Sequence, residues 1–273
     1  MNAPVHGGAC LKRLLFDDVE LVYEVFLAVR FIGHVTSVPA RAPRSVSDMR
    51  TDLAGRPATR PPIPDSVRSR LGDDAECIWL NQAGGTTWFA GDRYVKCDPA
   101  DSSESLGEEF MRMRWLDGRF PAPQPIEFAA EDDGEVLVTA ALPGAGAVTD
   151  EWLRRPSDAV RAIATGLRRL HTLDAADCPF MSSAPASADD DLVVSHGDAC
   201  APNTVIAPDG SFAGIVDVAR VGVADRWLDL AIASRSLGWN YGQGFEPLFF
   251  DAYGIAPDAA RIRRWLDWHD SED

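Results

Sequence analysis

LVVSHGDACAPNTVIAPDGSFAGIVDVARVGVADRWLDL, residues 192–230, is the stretch on which the reading of this chain turns. The runs LVV (192–194), TVI (204–206) and GIV (214–216) are short, β-branched and bounded by Gly, Pro and Asp, as strand edges require. The loops between them carry Asp198, Asn203 and Asp217. Taken singly, each is an ordinary loop residue. As a set they suit phosphoryl transfer: one carboxylate receives a hydroxyl proton, and the other two oxygens hold Mg²⁺ against a nucleotide's phosphates.

Composition narrows the setting. A chain of 273 residues is long enough for one large domain or two lobes. Its net charge of −16 argues against nucleic acid or an anionic membrane surface as the main partner, and suits a cationic small molecule. Cys10, Cys77, Cys97, Cys178 and Cys200 are scattered without a C-x-x-C pair, which points to a reducing, cytoplasmic setting and no zinc site. Of 26 basic residues only Lys12 and Lys96 are lysines. A Lys inside an apolar strand, where the chain otherwise writes Arg, marks a place that needs an ammonium.

Outward from the opening stretch, 64–142 reads β-β-β-α-β-β. Strands are expected at 75–80, 88–90, 93–97 and 135–140, with an extended piece after the prolines at 121, 123 and 125. The turn NQAGGTT (81–87) joins the first two, and a helix at 105–118 carries Glu109 and ends near Gly118. A helical region spans 152–173, with Ser157 as the expected N-cap and His171 as a terminal or packing residue. Further helices are expected at 227–237, 247–253 and 257–268, with 239–245 as an aromatic loop. Residues 14–35 are apolar but broken by Asp17, Asp18, Glu20, Glu24 and Arg30, a poor membrane span and a poor signal peptide. Residues 36–66 read as a linker. The expected division is an extension at 1–63 outside the core fold, with Met49 as a candidate true start, a β lobe at 64–142 and a C-terminal lobe at 143–273.

Together the parts match a two-lobed α+β plan of the protein-kinase type: a small antiparallel β lobe and a larger, mainly helical one. The chain resembles the aminoglycoside phosphotransferase family, and especially its 3′/3″ branch, acting on kanamycin- and streptomycin-like antibiotics. The resemblance runs from about residue 65 to the end, on RYVKCDP (93–99), GEEFMRMRWLDGRFPAP (107–123), VLVTAALPG (136–144), LRRLHTLDAADCPF (167–180), SHGDACAPNTVIAPDG (195–210), GIVDVARVGVADRWLDLA (214–231) and FFDAYGIAPD (249–258). It implies an ATP- and Mg²⁺-dependent transfer to a small, cationic or sugar-like acceptor by a monomer or weak dimer. Asp198 would be the base or orienting carboxylate, and Asn203 and Asp217 the metal ligands. Lys96, steadied by Glu109, would meet the α- and β-phosphates. Gly84, Gly85, Thr86 and Thr87 would form the turn above them, and backbone groups near Ala140 and Ala141 would hold the adenine. His196 would be a structural member of its loop. Arg226 would pair with an acid such as Asp229, and Arg220 would reach the phosphates or an acid.

The acceptor side departs from the family pattern. Phe180 and His196 are 16 positions apart, so a helical insertion that walls the antibiotic pocket in the family is mostly missing. Asp189, Asp190 and Asp191, the segment at Trp239, Asn240 and Tyr241, and the tail acids Asp267, Asp270 and Glu272 are the remaining candidates for that role. A kinase of the same fold acting on another hydroxyl, and a nucleotide-binding protein with a degenerate pocket, are the alternatives. A protein kinase is disfavoured because no A-P-E segment follows Asp217. A metal hydrolase is disfavoured because His196 has no ligand-spaced His partner.

Overall fold

The computed structural model describes residues 55–272 except Gln82. Expectations for 1–54, including the apolar stretch and the start at Met49, lie outside the described residues. Five antiparallel strands, β1 (Glu76–Leu80), β2 (Thr86–Ala90), β3 (Arg93–Pro99), β4 (Pro125–Glu131) and β5 (Gly134–Ala140), form a sheet in the order β1-β2-β3-β5-β4. Its inner face buries Val67, Trp88, Val95, Val136 and Val138. Val67 comes from a helix the sequence reading lacked, α1 (Asp65–Leu71), whose single fully buried residue leaves little periodicity to read. Residues 55–63, assigned to the extension and read as linker, touch this sheet. Gly55 and Leu80 exchange backbone hydrogen bonds of 3.0 and 2.8 Å, and the Arg60 guanidinium donates to the Ala75 carbonyl at 3.0 Å.

Helix α2 (Leu106–Leu116) is capped by the Ser105 hydroxyl, which accepts from the Glu108 N–H, and stops just before Gly118 at φ 72°. Its buried Met113 and Leu116 share one apolar cluster with Leu137 of the sheet and with Val194, Ile215, Val218 and Val221 of the second lobe. The helix is therefore the joint through which the lobes share a core.

The second lobe places two small sheets under the joint. β7 (Leu192–Ser195) pairs with β10 (Gly222–Asp225), and β6 (Ala145–Gly146), β8 (Thr204–Ile206) and β9 (Phe212–Ile215) form the other. Helices α3 (Asp150–Leu153), α4 (Pro156–Leu170), α5 (Arg226–Tyr241), α6 (Glu246–Tyr253) and α7 (Ala259–Glu272) surround Trp152, Ile163, Leu228, Ile232, Phe249 and Trp265. Two expectations are corrected here. Ser157 lies inside α4, because Pro156, with its φ preset for a first turn, starts the helix after Arg155. The expected loop at 239–245 is helical to Tyr241: Asn240 bonds back to the Ser236 carbonyl at 2.8 Å, and the helix stops at Gly242, φ 86°.

The β8–β9 hairpin that carries the polar loops is held against α4 by one close fit. A Cβ on Gly166 would lie 2.3 Å from the Phe212 ring. Gly166→Ala should therefore overpack this contact and lower stability by about 1–3 kcal/mol in urea denaturation, despite the better helix propensity of Ala.

Candidate active site

The sheet lays Lys96 across from Thr87 in register, under the Asn81–Gly85 turn. Its ammonium donates to both carboxylate oxygens of Glu109 at 2.9 and 3.0 Å, and it also meets Asp217. Glu109 is 2% exposed, a buried acid that this contact neutralises. Burial opposes the Lys96 charge, but Asp217 and Glu109 outweigh it and raise its pKa. Lys96 in turn holds the Asp217 carboxyl below its ordinary value. Asp217 adopts a left-handed conformation, φ 55°, at the end of β9, which turns its side chain out of the strand.

Strand register brings the remaining polar groups to the same place. Thr204 pairs with Ile215, and the Val216 N–H donates to the Asn203 carbonyl at 3.0 Å, so Asn203 and Asp217 leave neighbouring strand ends. The Asn203 amide donates to the Asp198 backbone oxygen at 2.9 Å and to Asp198 Oδ2 at 3.2 Å. Among the described residues no group of three or more His, Cys, Asp or Glu side chains forms a metal cage. Asn203 and Asp217, both oxygen donors, are of the type that would suit Mg²⁺.

Asp229 braces this loop from below. Fully buried, it accepts from the Ser195 hydroxyl at 2.8 Å and from the N–H groups of His196 and Gly197 at 2.7 and 2.9 Å, and meets His171 Nε2 at 2.9 Å. Burial disfavours its charge, yet the His171 bond and the other donors leave its pKa lowered. His171 continues to the Tyr253 hydroxyl at 2.7 Å. His196 Nε2 meets the Val216 carbonyl at 3.0 Å, a structural contact as expected. The expected Arg226–Asp229 pair is corrected: Asp229 is spent on the loop, and Arg226 pairs with Asp191 at 2.6 Å. An acid between leucines in WLDLA was the available signal that Asp229 is buried and must be paired inside.

The turn above Lys96 has its own anchor. Asn81 closes it by accepting from the Gly85 N–H at 2.5 Å, and its amide donates to Asp98 Oδ1 at 3.3 Å. A Cβ on Gly85 would meet that oxygen at 1.9 Å, so the turn descends onto Asp98 only as glycine. Gly84 takes φ 87°. The Thr86 hydroxyl accepts from the Trp88 indole at 2.9 Å. Asp98 is 5% exposed and its Oδ2 has no hydrogen-bond partner among the described residues. Burial, with Glu104 nearby, pushes its carboxyl up to about 6 against the opposing effects of Lys96 and Asn81. At the inter-lobe strand the Ala140 N–H donates to Gln124 and the Ala141 N–H to Asp92, at 2.9 and 2.8 Å. Those two N–H donors are used within the lobe.

On the acceptor side the candidates separate. Asp190 bonds the Arg264 guanidinium at 2.7 Å, and Asp270 pairs with Arg235. Asn240 is turned back onto Ser236. Trp239 is 68% exposed, with the Arg235 guanidinium 4.9 Å from its ring centroid. Asp267 and Arg220 are exposed and form no ion pair among the described residues.

A sequence profile of the phosphotransferase enzyme family matches residues 80–190 and 181–266. A streptomycin 3″-kinase of Streptomyces griseus is 32% identical over 263 residues, covering 75% of this chain and 96% of its own length. An aminoglycoside 3′-phosphotransferase of Niallia circulans is 30% identical, covering 63% of this chain and 81% of its own length. Among solved structures, aminoglycoside phosphotransferase APH(3″)-Id of Streptomyces rimosus, in complex with ADP and streptomycin, superposes with a TM-score of 0.60 at 27% identity. The match covers 73% of this chain and 93% of that one.

The Asp98 carboxyl gives this lobe a pH signature. Its folded pKa lies above the ordinary value, so the native state binds the extra proton between about pH 4 and 6, and its contribution to stability falls as pH rises through that window. Melting curves should show the difference in Tm between Asp98→Asn and wild type moving in favour of the variant, by several degrees, from pH 4.5 to pH 7.5. A constant difference would mean that Asp98 titrates normally.

Proposed function

The chain belongs to the phosphotransferase enzyme family, and from that premise we propose that it moves the γ-phosphoryl group of ATP to a hydroxyl of an aminoglycoside of the streptomycin or kanamycin type. The observation that carries the reading is the convergence where the two lobes meet of Lys96, held by buried Glu109, with Asp217, Asn203 and Asp198. The names of the relatives support the acceptor class: a streptomycin 3″-kinase and an aminoglycoside 3′-phosphotransferase.

Each residue then has a physical task. The Asp198 carboxylate accepts the proton of the acceptor hydroxyl as the new O–P bond forms and the bond to the ADP oxygen breaks. Asn203 and Asp217 supply oxygens to Mg²⁺, which when bound neutralises charge on the transferred group. Lys96 has three N–H donors and turns one from Asp217 to the nucleotide's phosphates, keeping Glu109. The turn at Gly84 and Gly85 covers those phosphates, with Thr87 opposite Lys96. At the inter-lobe strand backbone groups near Ala140 and Ala141 contact the adenine, the Leu142 N–H being the next donor along the chain after the two that are already bonded. Trp239 and Asp267, exposed along α5 and α7, are the proposed contacts for a cationic acceptor, and Arg220 for the phosphates. With Asp190 and Asp270 committed to arginines, the acceptor face is less acidic than the sequence alone suggests. The free thiols of Cys77, Cys97, Cys178 and Cys200 support a reducing, cytoplasmic setting. No helix among the described residues is long and apolar enough to cross a membrane.

ADP release, measured across streptomycin, kanamycin, neomycin and simple sugars, tests the reading. Turnover is expected with an aminoglycoside, and Asp198→Ala should lower kcat by about 10²–10⁴-fold while ATP affinity stays within about twofold. ATP binding with no turnover on any acceptor would replace this reading with that of a nucleotide-binding protein. Lys96→Ala should raise the KM for ATP. It should also cost about 3–5 kcal/mol in urea denaturation, because buried Glu109 loses its partner. An unchanged ATP response would remove Lys96 from the nucleotide site.

A further inference from the structure

We propose that Cys200 is a positioning residue for the base: its thiol, donating to Asp198 Oδ1, sets the plane of the carboxylate that receives the acceptor's proton. This rests on Asp198 being that base. The Cys200 Sγ lies 2.9 Å from Asp198 Oδ1, while the Asn203 amide reaches Oδ2 at 3.2 Å. The Asp198 backbone oxygen is held twice, by the Cys200 N–H at 2.9 Å and by the Asn203 amide at 2.9 Å. The main chain is therefore held, and what remains to be set is the Asp side chain, whose terminal torsion is a broad, roughly two-fold well. Asn203 cannot set that torsion alone, because its own amide plane must also serve the oxygen it offers to the cation. The thiol is the second point that defines the carboxylate plane.

Two features suit Cys200 to this task. Burial raises its pKa and the negative charge of Asp198 raises it further, outweighing Arg235 and the Ser236 hydroxyl. The sulfur therefore keeps its proton at neutral pH and acts only as a donor. A thiol is also a weak donor, so it orients the carboxylate while withdrawing little of the basicity that proton transfer needs. Its location is fixed from outside the loop: the neighbouring Ala201 N–H donates to the Ser236 hydroxyl at 2.9 Å, and Ser236 in turn meets the Asn240 amide at 3.1 Å. The inner face of α5 thus holds the thiol against the base.

The test uses the full chain with Cys200→Ala and Cys200→Ser. Cys200→Ala should lower kcat about tenfold, with the KM for ATP within about twofold and Tm nearly unchanged. Cys200→Ser, which keeps an O–H donor, should recover most of the rate. An unchanged kcat in Cys200→Ala, or a Cys200→Ser as slow as Cys200→Ala, overturns the proposal. A second arm needs no acceptor: the rate at which iodoacetamide alkylates Cys200 at pH 8.5, read by peptide mass mapping, in wild type and Asp198→Asn. Loss of the carboxylate charge should ease thiol ionisation and speed alkylation about tenfold. Equal rates would show that the thiol does not hold Asp198, whether or not the protein phosphorylates the acceptors tried. Faster alkylation in a protein that turns over none of them would overturn the reading of Asp198 as base and leave the thiol contact standing.

Discussion

A buried carboxylate without a cation is expensive, and in this protein Glu109 is that carboxylate. The cation that answers it, Lys96, sits on the central strand of the sheet and also reaches Asp217 on the opposite lobe. The three residues belong to β3, α2 and the end of β9, so a single ammonium links a strand, the joint helix and the second lobe. The apolar cluster around Met113, Leu116, Leu137, Val194 and Ile215 keeps those elements at the distance that lets the link form. Packing supplies the adhesion, and the ion pairs supply the register.

The same economy governs the loop that carries Asp198. Asp229, fully buried, gathers the Ser195 hydroxyl and two successive N–H groups, while His171 completes its shell and leans on Tyr253. Gly197, at φ 80°, lies so close to the Arg220 backbone that a Cβ would meet its carbonyl oxygen at 2.5 Å. A loop held from beneath by a charge and from beside by backbone contact has little freedom to rearrange, which favours electrostatic preorganisation. Cys200 and Asn203 then each hold one oxygen of the Asp198 carboxylate.

Acceptor recognition follows a different rule. Acidity is abundant in the chain, but the structure spends much of it internally. Asp190 serves Arg264, Asp191 serves Arg226 and Asp270 serves Arg235. The short segment between Phe180 and His196 is tied to α7 by the Asp190–Arg264 pair and the bond of Arg261 to the Asp189 carbonyl, and to α5 by the Asp191–Arg226 pair, while Asp270–Arg235 joins α7 to α5. Trp239, Asp189 and Asp267 remain exposed beside these braced acids, the first of them under the Arg235 guanidinium.

Residue type and spacing pointed to the two-lobed α+β plan, most strand and helix positions, and the set Asp198, Asn203 and Asp217, while the family resemblance added the pairing of Lys96 with Glu109. Those features rest on local periodicity and on chemistry that tolerates few substitutes. Helix α1, with one buried residue, and the last turn of α5, held by Asn240, gave no comparable local pattern. Partner choice was the tertiary structure's decision. Arg226 takes Asp191 rather than Asp229, the N–H groups of Ala140 and Ala141 are consumed by neighbouring strands, and Asp98 is buried beneath the glycine turn. Hydrogen bonds and ion pairs depend on distances of a few tenths of an ångström between segments far apart in the chain, and no one-dimensional pattern encodes such distances.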